Sequence, residues 1–225
     1  MIEFEDVGVA YGERWALRDV TLRLDERRVG VVGANGSGKS TLARACNGLV
    51  RPTTGRVRVD GHDTVRETAA VRRLVGFVFQ DPDLQILMPS VAEDLAFSLR
   101  PLRLPKDELA ARVQAQLDAY GLADHADHPA HLLSGGQKQL LAIAAVLIME
   151  PRVVVFDEPT TLLDLRNQRR IMDVIAALDQ QVVVVTHDLD SLAGFDRVVV
   201  VDDGRVVADD EPAPALRCYR KLVES

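Results

Sequence analysis

Four short stretches of the chain are apolar from end to end: Val29 to Val32, Val153 to Phe156, Val182 to Val185 and Val198 to Val201. A strand with one wet face alternates polar and apolar residues, whereas a strand that is apolar on both faces has to be covered on both. Short, valine-rich runs of this kind predict a parallel sheet with helices on either side. A second group does alternate. Val20, Leu22 and Leu24 are separated by polar residues, and Val57 and Val59 stand among Arg56, Arg58 and Asp60. Period two predicts half-exposed strands in an antiparallel arrangement. Between Val91 and Met149 the period lengthens: Leu109, Val113, Leu117 and Tyr120 recur at helical spacing, with Pro101 and Pro105 punctuating the approach. The longest apolar run, Leu140 to Met149, falls well short of the ~20 residues a membrane helix needs and reads as a buried helix. The expected fold is α/β: a core formed by residues 1–80 and 151–225, with a mostly parallel sheet flanked by helices and an antiparallel β subdomain. A helical subdomain interrupts it over 81–150.

The first apolar run leads into Gly33-Ala34-Asn35-Gly36-Ser37-Gly38-Lys39-Ser40, and Thr41-Leu42-Ala43-Arg44 then starts a helix. Strand, glycine-rich loop, Lys-Ser and helix together form a phosphate-binding P-loop. Glycines let the backbone curl so that successive N–H groups point at phosphate oxygens, and the helix N-terminus adds partial positive charge. Asn35, Gly36, Ser37 and Gly38 supply that cradle. Lys39 reaches the β- and γ-phosphates, Ser40 holds Mg²⁺, and Thr41 contacts the α-phosphate. The core is therefore expected to be that of a P-loop NTPase with Mg²⁺ as a cofactor. The loop by itself leaves kinases, GTPases and motors open, and ATP is the nucleotide that the resemblance given below implies. The second apolar run ends in Asp157-Glu158. Such a strand delivers its carboxylates to the sheet's C-terminal edge, where α/β proteins bind ligands. There Asp157 can hold Mg²⁺ through its water shell, and Glu158 can polarise an attacking water.

Bulk properties narrow the partners. The net charge of −7 argues against the broad basic footprint that nucleic acid requires, so no nucleic acid is expected. It also disfavours a polybasic mode of membrane attachment. Met1-Ile2-Glu3-Phe4-Glu5 does not begin a secretory signal, and Cys46 and Cys218 have neither metal-ligand nor redox spacing. Two free thiols in a reducing cytosol are expected.

Leu133-Ser134-Gly135-Gly136-Gln137 separates this chain from other P-loop proteins. It resembles the signature motif of ATP-binding cassette (ABC) proteins, and the resemblance extends over essentially the whole chain. In that family Ser134, Gly135, Gly136 and Gln137 complete the nucleotide site of a second subunit, so a homodimer of ATPase subunits is implied. The resemblance also assigns weaker features. Tyr11 is the aromatic ring against adenine. Gln80 is the glutamine that touches metal and nucleotide and links to the membrane partner. Asp164, in Glu158-Pro159-Thr160-Thr161-Leu162-Leu163-Asp164, lies at the dimer interface, and His187 bonds the γ-phosphate. Leu162 stands where the family usually has a small residue, and the chain is apolar near Leu140 where an arginine is usual. His125, His128 and His131 are three apart, but Pro129 breaks any helix that would align them, and no metal site is expected there.

The segment after Gln80 carries a second glutamine, Gln85, and then Val91-Ala92-Glu93-Asp94-Leu95-Ala96-Phe97. This combination resembles the energy-coupling factor ATPases, which drive bacterial uptake of vitamins and of cobalt or nickel. The resemblance implies an ATPase subunit at the cytoplasmic face of the cell membrane. Its partners would be a transmembrane coupling protein and a membrane-embedded substrate-binding protein. A complete motif set and a short segment after Cys218 match the single-ATPase type, among which biotin is favoured over cobalt or nickel. The alternatives are the ATPase of a conventional ABC importer and, more distantly, a non-transport ABC ATPase acting on nucleic acid.

Overall fold

A computed structural model describes residues 1–224. In chain order the elements are β1 (Ile2–Tyr11), β2 (Arg14–Leu24), β3 (Arg28–Val32), α1 (Lys39–Ala45), β4 (Thr54–Val59), β5 (His62–Asp63), α2 (Thr68–Leu74) and β6 (Val75–Val78). They continue with α3 (Val91–Ser98), α4 (Lys106–Tyr120), α5 (Gly135–Leu147), β7 (Val153–Asp157), α6 (Leu165–Ala177), β8 (Gln181–Val185), β9 (Arg197–Asp202), β10 (Arg205–Asp210) and α7 (Pro212–Glu224). The chain forms two compact units. One comprises Met1–Phe77, Arg152–Glu158 and residues 178–224; the other comprises Val78–Pro151 and Pro159–Ala177.

The first unit holds both sheets. The six-stranded sheet runs β10-β9-β3-β8-β7-β6, and β3 is parallel to both β8 and β9, as β7 is to β8. The residues of the four apolar runs are buried without exception, as a sheet covered on both faces requires. Beyond β9 and β3, a core of Val32, Leu192, Val198, Val200, Ala215 and Leu216 packs α7 onto the sheet. The second sheet, β2-β1-β4-β5, is antiparallel, and here burial follows the alternation. Val20, Leu22, Leu24, Val57 and Val59 point inward while Thr21 and Arg23 are exposed. Cys46 and Cys218 are free, and burial pushes the Cys46 thiol up to about 12.

The second unit is helical. Val113 and Leu117 form the buried stripe of α4, with Leu109 and Tyr120 half-covered at its margins. Helix α5 is buried over most of its length, including Leu140, which is 1% exposed. That environment accounts for the apolar residue near this point. Residues Pro159–Ala177, counted with the core on sequence alone, group with this unit, where α6 packs against α5.

Distant parts of the first unit are joined by one cation. Arg197 on β9 bonds both carboxylate oxygens of Asp209 on β10, both of Glu26 at 2.9 Å, and the Arg23 carbonyl at 2.8 Å. These bonds, led by that to Asp209, hold its pKa above the usual arginine range. With only 19% of the side chain exposed, removing the cation strands two carboxylates. Arg197→Met is expected to lower unfolding free energy by about 1–3 kcal/mol, read from urea denaturation monitored by circular dichroism.

Candidate functional site

Parallel pairing determines what meets at the sheet edge. In register, Val31 lies beside Val185 and Asp157 beside Val185 on its other side. The chain ends leaving β3, β7 and β8 therefore emerge together, and they carry Gly33, Glu158 and Thr186-His187. The Thr186 N–H still bonds the Val31 carbonyl at 3.2 Å, and the Glu158 N–H bonds the Val185 carbonyl at 2.9 Å.

From β3 the loop turns sharply. Gly33 has φ +156°, and a Cβ there would lie 2.1 Å from the Val201 carbonyl oxygen, so only glycine fits. The turn after β9 braces the loop from outside: the Gly204 N–H bonds the Ser37 carbonyl at 2.8 Å, and the Gly204 carbonyl accepts from Arg18. Inside the loop, Lys39 is 5% exposed, and its Nζ bonds the carbonyls of Gly33 at 2.9 Å and Ala34 at 2.8 Å. Desolvation pushes its pKa below the usual lysine range, against the opposing pull of Glu158 and Asp157. The Ser37 hydroxyl is buried without a partner. The loop thus encloses a cation whose direct partners among the described residues are backbone carbonyls.

Ser40 and Asp157 meet directly, Ser40 Oγ donating to Asp157 Oδ1 at 2.8 Å. Asp157 is 2% exposed, and its Oδ2 accepts from Arg44 Nη2 at 3.2 Å. A hydroxyl and a buried carboxylate side by side form a hard-oxygen pair of the kind Mg²⁺ takes, with phosphate and water supplying its other ligands. Glu158 sits at φ +52°, a region that costs energy for a residue with a Cβ. Its Oε2 is 3.2 Å from His187 Nδ1. Next to the loop is a cavity of about 310 Å³ lined by Tyr11, Arg14, Ala16, Gly36, Gly38, Lys39, Ser40 and Thr41. Tyr11 is 57% exposed at the hairpin end of β1. The first unit therefore brings together Tyr11, the loop from Gly33 to Thr41, Asp157, Glu158 and His187.

The second unit carries the remaining residues. Ser134 caps α5: its Oγ accepts from the Gln137 N–H, and Gln137 Oε1 accepts from the Ser134 N–H at 2.9 Å. The Gln137 amide also meets His125 Nε2. Gly135 is exposed, whereas Gly136 is buried with no room for a side chain, since a Cβ would lie 2.3 Å from Asn167 Oδ1. Asn167 is held in turn by Asp164, which accepts from its N–H at 2.9 Å and from its side-chain amide at 3.0 Å. These bonds, led by the backbone one, hold the Asp164 carboxyl below the usual range. The Asp164 turn therefore backs the signature turn through one asparagine. Gln80 follows β6, is exposed, and lines a cavity of about 150 Å³ with Asp83, Gly135, Lys138 and Gln139. His125 and His128 face one another with ring centroids 5.0 Å apart. Among the described residues no group of three or more His, Cys, Asp or Glu could hold a metal ion.

Arg14, Arg44 and Gly204 were not singled out on sequence. Arg44 was within reach, because it follows Ser40 by four residues in a helix and so shares its face. Arg14 and Gly204 reach the site through tertiary folding and leave no local signal.

Residues 17–161 match the ABC transporter family model. The chain is 57% identical over 221 residues, 98% of either protein, to a Deinococcus radiodurans protein named only as an ABC transporter ATP-binding protein. It is 47% identical, again over 98% of either protein, to the biotin transport ATP-binding protein BioM of Rhizobium etli. The energy-coupling factor transporter ATP-binding protein EcfA1 of Caldanaerobacter subterraneus is 39% identical over 94% of this chain and 81% of that one. Among solved structures, cbiO1 of Clostridium perfringens, part of the ABC transporter complex cbiONQ, superposes with a TM-score of 0.85 at 33% identity, covering 99% of this chain and 92% of that one. A dimeric cassette, MJ0796, bound to ADP and Pi superposes with a TM-score of 0.83 at 31% identity over 94% of this chain and 99% of that one.

The chain belongs to the ABC transporter family. The residues of the stretch from Gln80 to Phe97 have clear local roles. Gln85 takes the Phe79 N–H on its Oε1 at 3.2 Å and gives its Nε2 to the Ala142 carbonyl of α5 at 2.9 Å. Ser90 and Glu93 form a capping box on α3. Asp94, 4% exposed, accepts from the N–H groups of Leu87 and Met88 at 2.8 and 3.0 Å. Asp94→Ala leaves both donors unpaired and is expected to cost about 1–3 kcal/mol. Thermal unfolding should fall in proportion, whereas Asp94→Asn, which keeps an acceptor, should lose less.

Proposed function

We propose that this chain is the ATP-hydrolysing subunit of an energy-coupling factor importer, acting as a homodimer at the cytoplasmic face of the membrane. The observation that carries this reading is the gathering of Lys39, Ser40, Asp157, Glu158 and His187 at one sheet edge, in a chain that also bears Ser134 to Gln137. Lys39 and the N–H groups of the loop bind the β- and γ-phosphates, and Tyr11 lies against the base. Ser40 and Asp157 would hold Mg²⁺, which neutralises phosphate charge when bound. Glu158 accepts a proton from the attacking water. His187, within bonding distance of Glu158, orients that carboxylate and bonds the γ-phosphate. The capped turn at Ser134, Gly135, Gly136 and Gln137 offers N–H groups to the γ-phosphate held by a second copy, with Asp164 at the same interface. ATP then joins two copies and hydrolysis releases them, so nucleotide state is converted into motion.

No helix among the described residues is long and apolar enough to cross a membrane. In this reading its partners are a transmembrane coupling protein and a membrane-embedded substrate-binding protein. The similarity to BioM over 98% of both chains supports biotin as the cargo, ahead of cobalt or nickel.

Glu158→Gln should bind ATP with unchanged affinity, form a stable ATP-bound dimer on size exclusion, and lose ATP turnover by at least about 100-fold. Normal turnover would remove Glu158 from the mechanism. Co-purification with two permease subunits and an external binding protein would point instead to a conventional importer.

A further inference from the structure

We propose that Arg44 is a positioning residue that sets the Asp157 carboxylate for the divalent cation accompanying the nucleotide. This rests on the reading of the site as one for Mg²⁺ and ATP. Asp157 ends a strand in the core with its side chain 3% exposed, so few groups can reach its two oxygens. Each has one partner from α1: Oδ1 takes the Ser40 hydroxyl at 2.8 Å, and Oδ2 takes Arg44 Nη2 at 3.2 Å. Ser40 and Arg44 are one helical turn apart and so face the same carboxylate. The terminal torsion of an aspartate is broad and nearly two-fold, and bonds at both ends are what select one setting. With Oδ2 tied to Arg44, Oδ1 is the oxygen kept turned toward Ser40, the other residue that would hold the cation.

Mg²⁺ makes the setting matter. It requires near-ideal octahedral geometry and tolerates little wander in a ligand. Placing an arginine beside a cation site is unfavourable by charge alone, so the two effects of Arg44 oppose each other. Its side chain is 46% exposed, which lets water screen the repulsion, while the bond it makes is to a buried group. Positioning should therefore outweigh repulsion.

The opposed signs make the idea testable. Binding of a fluorescent ADP analogue to the intact chain is followed by anisotropy across a Mg²⁺ titration and in EDTA. For Arg44→Met, the half-saturating Mg²⁺ concentration should rise about 10-fold, with affinity in EDTA unchanged. Arg44→Lys, keeping charge and one donor, should recover much of the loss. If Arg44→Met needs less Mg²⁺, the residue acts by charge alone. If its Mg²⁺ dependence is unchanged, the ion pair only straps α1 to β7. Either result overturns the proposal. Should Arg44→Met fail to fold, judged by far-ultraviolet circular dichroism, Arg44→Lys carries the test, with a rise of about 2-fold expected and no rise refuting it. An unaltered chain that binds no nucleotide at any Mg²⁺ concentration would overturn the ATP reading, and this role with it.

Discussion

The buried ammonium of Lys39 is the interaction on which the site depends. A lysine that is 5% exposed has lost most of its hydration, and carbonyl oxygens from Gly33 and Ala34 replace only part of it. Those two bonds wrap the loop around the cation. An anion beside it would supply the rest, which is the part the proposed function gives to phosphate. The cost of burying that charge is met elsewhere in the first unit. The glycine at 33 allows the turn, and the Gly204 turn holds the loop's outer edge through Ser37.

The parallel sheet gives that cation its chemical neighbours. A hairpin would send adjacent strands in opposite directions and scatter their ends, whereas β3, β7 and β8 all finish at one edge. Asp157 and Glu158 are consecutive, yet the edge separates their roles. Asp157 still belongs to the strand and is buried against α1, while Glu158 leaves it with a strained backbone and turns to His187. One residue of chain thus separates a fixed carboxylate next to Ser40 from one beside an imidazole. Strain at Glu158 is tolerated because pairing of β7 up to Asp157, and the bond from the Glu158 N–H to the Val185 carbonyl, determine the path.

The extent to which this was legible in sequence follows from the range of each interaction. Apolar runs and alternation are local consequences of burial, so both sheets and their pairing types could be read directly. The P-loop was equally plain, because its glycines serve a backbone shape that few other residues permit. The grouping of 159–177 with the helices was not legible, since it depends on α6 packing against α5 and on Gly136 lying against Asn167. Arg197 shows the same limit: nothing near it in sequence suggests that it holds Glu26 and Asp209 together. The partner of a surface charge is set by the finished fold, and a one-dimensional pattern does not carry it.

The segment from Gln80 to Phe97 bears on what a family marker means. Its recognisable residues, Gln85, Glu93 and Asp94, turn inward or bond the local backbone. The large apolar side chains it holds outward are Leu84 at 72% and Leu87 at 64% exposure. A buried carboxylate that must receive two N–H groups tolerates few replacements, while an exposed leucine tolerates many. These bonds form a frame that keeps the loop in one shape, with the Lys138–Asp83 ion pair at 2.7 Å as a further tie to α5. Rigid support beneath exposed apolar residues lowers the ordering cost of any contact they make. In this loop the buried and backbone-bonded side chains set the geometry, and the two exposed leucines are left free of that task.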